Sequence, residues 1–288
     1  MNYRHAFHAG NFADVVKHAV LSRILTYLRE KPAAFRVIDT HAGAGLYDLA
    51  GPEAARTGEW REGIGRLIGG GGADMPAAAR AMLAPYLDAI ASFNPPGTLT
   101  TYPGSPALVQ AMLRRQDRLI ACELEPLAAA ALSSRLRGDP RAKALAIDGW
   151  TALAAYVPPK ERRGVVLIDP PFEQPDEYSR LATGLATAHR KWATGIYLLW
   201  YPVKDATEAA AFIRKLGRLG IARMLRVELI VATGSEISGL RGSGLVAVNP
   251  PWTLHDELRV LLPALAAALR RDSDSQLTLD WIANEKTR

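Results

Sequence analysis

The sequence holds one cysteine, Cys122, in 288 residues. An internal disulfide and a zinc cluster built on cysteines are both excluded. Aromatic residues are scarce, at 7%. Long hydrophobic runs are missing too. The uncharged stretch Val260 to Leu269 is broken by Pro263 and reaches about half of the ~20 residues a bilayer needs. The opening, Met1-Asn2-Tyr3-Arg4-His5, has no apolar stretch of the secretory kind. The expectation is a cytoplasmic protein with no membrane partner. Acidic residues number 29 against 35 Lys plus Arg, a net charge of +6. That balance fits a solvated, arginine-rich surface or a polyanionic partner such as nucleic acid.

The chain is 49% hydrophobic and 22% charged, so it has enough apolar surface to fold without staples. Its length suggests about two domains, or one with an insertion. Asn11 to Glu30 has helical periodicity, with Asn11 as N-cap. Phe35 to Asp39 reads as a buried strand running into the loop Thr40-His41-Ala42-Gly43-Ala44-Gly45. Residues 47–103 are rich in Gly, Ala and Pro, with a helix near Pro76 to Ala91. Ser105 and Pro106 suit the N-cap and first position of the next helix.

Strand and helix spacing then alternate. Strands are expected at 119–122, 143–147, 165–168, 195–200, 223–232 and 245–249. Helices are expected at 126–137, 176–192, 207–219 and 255–270. This is an α/β pattern with a mostly parallel sheet, its last two strands forming an antiparallel edge pair. Four strands run into acids, Asp39, Glu123, Asp148 and Asp169, which predicts carboxylates converging where such sheets bind ligands.

Gly43 and Gly45 make a Gly-x-Gly in which Asp48 stands at the third glycine's place. Backbone approaching a ligand at Gly43 fits the loop, and the missing glycine disfavours a nicotinamide dinucleotide. Glu123, at the end of the next strand, suits ribose hydroxyls. Asp169-Pro170-Pro171-Phe172 follows a buried strand directly. Two prolines fix an extended turn. Asp169 and the Pro170 carbonyl would accept hydrogen bonds from a planar amine, and Phe172 would stack on its ring. Asn249-Pro250-Pro251-Trp252 repeats the pattern, and a turn leaving the sheet is the better reading there. Near the start, Tyr3, Arg4, His5, Phe7 and His8 interleave aromatics with cations, as suits a base and its phosphates. Asp14 and His18 share a helix face, too few ligands for a metal, and no metal site is expected.

These segments, with Asp14-Val15-Val16-Lys17-His18 and Tyr102-Pro103-Gly104-Ser105-Pro106, resemble class I S-adenosylmethionine-dependent methyltransferases acting on adenine N6. More closely, the chain is similar to the ribosomal RNA large-subunit methyltransferase J family, over nearly its whole length. The resemblance implies a seven-stranded Rossmann-like sheet in one methyltransferase domain, residues 1–288, with a helical insertion at 47–103. It implies S-adenosylmethionine as cofactor, held by Lys17, His18, His41, Ser105, Glu123, Asp148, Gly149 and Asp169. Tyr3 is implied as a substrate contact, and one adenine of 23S rRNA as the target. A monomer is expected. Phe172 departs from the family, which usually has Tyr there. The rival readings are a DNA adenine-N6 methyltransferase, a glutamine-amide methyltransferase using Asn249, and a non-catalytic RNA-binding assembly factor.

Overall fold

The computed structural model describes residues 4–71, 74–232 and 240–283. Asn11 caps α1 (Phe12–Glu30), its side chain accepting from the backbone N–H of Ala13 and Asp14. The chain continues through β1 (Arg36–Asp39), β2 (Leu46–Asp48), α2 (Pro52–Thr57), α3 (Ile64–Arg66), α4 (Ala77–Ala91) and β3 (Thr101–Pro103). Next come α5 (Ser105–Met112), β4 (Arg118–Glu123), α6 (Pro126–Leu136), β5 (Ala142–Ala146), α7 (Gly149–Tyr156) and β6 (Gly164–Ile168). After them run α8 (Glu177–Lys191), β7 (Ile196–Val203), α9 (Ala206–Gly217), β8 (Met224–Ile230), β9 (Gly242–Val248), α10 (Leu254–Leu269) and β10 (Gln276–Ala283).

Every residue of β6 is buried. Val165 and Leu167 pack into one core layer, and Val166 and Ile168 into another. This two-residue period is that of a strand covered on both faces. One layer gathers α1, α4, α5 and α10; the other gathers α8 and α9. The main sheet has the order β10-β8-β9-β7-β6-β1-β4-β5. Strands β7, β6, β1, β4 and β5 are parallel. The order reverses between β1 and β6, so the crevice beyond their carboxyl ends is the expected ligand position. The short antiparallel pair of β2 with β3 brackets residues 49–100, which carry α2 to α4.

Three expectations need correction. Among the described residues the sheet has eight strands rather than seven. The antiparallel pair of β8 and β9 is present but is not at the edge in chain order. Strand β9 inserts between β7 and β8, and β10 pairs antiparallel with β8. Without β10, β8 would present an open row of N–H and C=O groups. The alternation Leu277, Leu279, Trp281 against Thr278, Asp280 carried that strand in the sequence. Ser105 also differs: Gly104 is the N-cap of α5, and Ser105 is its first helical residue.

Candidate active site

A cavity of about 490 Å³ opens beyond the carboxyl ends of β1, β4 and β6, within the range typical of ligand pockets. It brings together Lys17, His18, His41, Gly43, Ser105, Glu123, Asp148, Gly149, Asp169 and Pro170, with Arg4 and His5 at its rim. Tyr3, the remaining expected substrate contact, lies outside the described residues.

At one end stands a buried ionic cluster. Lys17 Nζ donates to Asp14 Oδ1 at 2.8 Å and to Asp169 Oδ2 at 2.5 Å. Asp14 Oδ2 also accepts the Gly10 backbone N–H at 2.9 Å and lies 3.0 Å from His5 Nε2. Burial alone would neutralise these groups. For Asp14, the His5 and Lys17 charges outweigh burial and hold its carboxyl well below the usual range. For Lys17, burial is overcome by Asp14 and Asp169, and its pKa is raised. The lysine therefore holds the Asp169 carboxylate in one position.

Beside it, His18 is 1% exposed, and burial pushes its pKa down to about 3 against the pull of Asp14. Its Nδ1 lies 2.8 Å from the Tyr102 hydroxyl, while Nε2 has no hydrogen-bond partner among the described residues. His41 is likewise kept neutral by burial, at about 4, and its ring meets Trp150 edge-on at 5.3 Å.

At the other end, Glu123 accepts the Gly43 N–H at 2.8 Å and the Glu125 N–H at 2.8 Å. These bonds orient the carboxylate and leave lone pairs for a ligand's hydroxyls. Gly43 has φ +63°, and a Cβ there would lie 2.2 Å from Tyr47 Oη. The loop thus needs glycine to bring its N–H to Glu123. Asp148 caps α7 by accepting from Thr151 N at 2.8 Å. A Cβ on the following Gly149 would sit 2.3 Å from the Thr40 carbonyl oxygen.

Three of the four strand-end acids line the cavity, and Asp39 does not. It is fully buried, and its Oδ2 takes a 2.6 Å bond from Ser105 Oγ. Burial, against the Ser105 bond, pushes its pKa up to about 7.

Phe172 stands beside the main cavity. Its ring does not line the main cavity but an adjoining cleft of about 400 Å³, shared with Arg4, Phe7, Arg56 and Lys204. Its φ of +51° is strained for a bulky residue. Edge-on contacts with Tyr178 at 4.9 Å and Trp200 at 5.7 Å hold it. Pro171 lines both spaces, so the diproline corner is the wall between them. Arg56 and Lys204 were not foreseen, because only the fold brings such cations to this turn. Tyr102 lay within a recognised motif, but its part in the site depends on His18 from α1.

In the second diproline turn, the Asn249 amide donates to the carbonyls of Ala193 at 2.8 Å and Gly195 at 2.9 Å. It closes the loop before β7 and touches no cavity residue. No cluster of metal ligands occurs among the described residues, and no described helix is long and apolar enough to cross a membrane.

Parallel strands reversing order at β1 and β6, with a cavity edged by carboxylates and an Asp-Pro-Pro corner at their ends, define a Rossmann-like methyltransferase. The comparisons narrow the class. The family model described as Ribosomal RNA large subunit methyltransferase D, RlmJ, matches residues 32–283, and the chain belongs to that family. It is 41% identical over 285 residues to Ribosomal RNA large subunit methyltransferase J of Escherichia coli (strain K12), covering 99% of this chain and 100% of that protein. The same-named protein of Haemophilus influenzae is 38% identical, again over 99% of this chain and 100% of the relative. A crystal structure of a Legionella pneumophila protein superposes with TM-score 0.87 at 33% identity, covering 97% of this chain and 99% of that one.

Proposed function

We propose that this methyltransferase carries a methyl group from S-adenosylmethionine to the N6 amine of one adenine in 23S rRNA, acting in the cytoplasm as a monomer. The observation that carries the reading is the Asp169 carboxylate, fixed by Lys17 at 2.5 Å on a corner that separates a cavity from an aromatic cleft. The cavity's donor set suits the cofactor. Glu123 offers carboxylate oxygens to ribose hydroxyls, Asp148 and the close-packed Gly149 flank a flat group, and the unpartnered His18 Nε2 offers a donor. When bound, S-adenosylmethionine supplies an electrophilic methyl on a sulfonium.

The chain's residues supply the rest. Adenine N6 is a weak nucleophile, because its lone pair is delocalised into the ring. Asp169 and the Pro170 carbonyl accept its two N–H bonds and favour a pyramidal nitrogen with its lone pair free. After transfer the nitrogen is an aminium, and Asp169 takes its proton or passes it to water. Orientation of this kind is worth ~7–11 kcal/mol in well-aligned systems. Phe172 offers a ring for the extruded base, and Arg4, Arg56 and Lys204 offer charge to its phosphates. The names of the relatives support large-subunit rRNA as the substrate class.

The test is transfer of a tritiated methyl group to 23S rRNA lacking modifications, followed by mapping of the labelled nucleotide. Label at N6 of a single adenine is the expected result. Label on DNA at an equal rate, or none on RNA, overturns the assignment.

A further inference from the structure

The His18 ring sits at the end of a buried chain of hydroxyls. Tyr86, on α4, has its hydroxyl 2.9 Å from that of Tyr102, on β3, which in turn lies 2.8 Å from His18 Nδ1. Both tyrosines are fully buried, and burial raises the pKa of each, so both keep their protons. The direction of the chain follows from counting hydrogens. Tyr86 has one O–H, and its hydrogen-bond partner among the described residues is the Tyr102 oxygen. Pointing the Tyr86 proton at Tyr102 leaves the one spare donor at the cavity, on His18, where a ligand can accept it, whereas the opposite polarity strands the Tyr86 O–H inside the core, out of a ligand's reach. Tyr102 then spends its own proton on His18 Nδ1. A ring nitrogen that accepts carries no hydrogen, so the neutral ring must be protonated at Nε2. That atom is buried and unpartnered on a residue lining the cavity.

We infer that Tyr86 and Tyr102 are positioning residues that lock His18 in the Nε2–H tautomer, making it a neutral donor to the carboxylate of the cofactor's methionyl part. This rests on the reading of the cavity as an S-adenosylmethionine site. The carboxylate is that cofactor's anionic group and so its strongest acceptor. The relay also gives residues 49–100 a task in the site. Helix α4 supplies no lining residue of the cavity, yet through Tyr86 it sets the proton position on one.

The test has a spectroscopic arm and a binding arm. In the free protein, 15N NMR of the histidine rings, with the His18 signals assigned by their loss in His18→Gln, should show an unprotonated Nδ1 and a protonated Nε2. Tyr102→Phe should mix the tautomers and weaken S-adenosylmethionine binding about three- to tenfold, the range of one hydrogen bond. Tyr86→Phe should do the same more weakly. In the His18→Gln background, whose amide always carries an N–H, Tyr102→Phe should leave binding unchanged, whereas a merely structural tyrosine would still cost affinity. A protonated Nδ1 in the wild type, or full binding by Tyr102→Phe, overturns the inference. A wild type with the Nε2–H tautomer that ignores the cofactor keeps the relay and removes the reading of the cavity.

Discussion

The two diproline turns, Asp169-Pro170-Pro171-Phe172 and Asn249-Pro250-Pro251-Trp252, are spelled alike and follow equally buried strands. Strand β6 runs parallel to β7, and β9 runs antiparallel to it. Their carboxyl ends therefore point in opposite directions along the strands. The first turn arrives at the crevice, where Lys17 and the cavity await it. The second arrives at the start of β7, where its amide closes a loop and Trp252 stands 77% exposed. Strain follows the same division. In the first turn the left-handed residue is Phe172, for which that region is costly; in the second it is Asn249, which tolerates it. A local motif acquires its role from the direction of the strand that delivers it.

Substitutions should separate the turns in order of size. Asp169→Ala should lower turnover by about 10²–10⁴-fold at unchanged cofactor saturation, the scale of a lost general base. Single-turnover methyl transfer measures it, and near-normal turnover would put the two turns on a par. Lys17→Met should cost about 3–5 kcal/mol of stability at pH 7, because it leaves buried carboxylates without their cation. The pH dependence sharpens this. Asp14 has a lowered folded pKa, so its contribution is full above the unfolded value of about 3.9 and is lost as pH falls further. Lys17 has a raised folded pKa, so its contribution is full below about 10.4 and is lost only as pH rises beyond it. The Lys17→Met penalty should thus shrink in urea melts taken near pH 3, whereas the Asn249 amide predicts no such trend.

Phe172→Ala should weaken RNA binding by about 1–3 kcal/mol, one stacked base, read as a higher KM. An unchanged KM would remove the ring from base capture. Smallest is Asn249→Ala. It loses two hydrogen bonds at a left-handed residue, which should cost about 1–2 kcal/mol in thermal or urea unfolding and leave turnover intact. Loss of methyl transfer in that variant would erase the distinction between the turns.

Much of this was legible locally. Asn11 as a cap, the alternation of strands and helices, and the acids at strand ends follow from periodicity and hydrogen-bonding chemistry within a few residues of each other. The same local reading misplaced Asp39, whose solvent access depends on Ser105 folding over it, and it could not show that the Phe172 ring is turned into a neighbouring cleft. It also missed β10, because a strand at a sheet edge is half-exposed and its pattern is faint.

The sequence by itself determined which segments are strands, which are helices, and which residues stand at their ends, since those depend on the period of apolar side chains and on capping within a turn. Only the tertiary structure decided which ends meet. Lys17 reaches Asp169 across 152 positions, and Tyr102 reaches His18 across 84. Such contacts are set by strand order and by the packing of α1 against the sheet. A hydrogen bond acts over about 3 Å of space, whatever the separation along the chain.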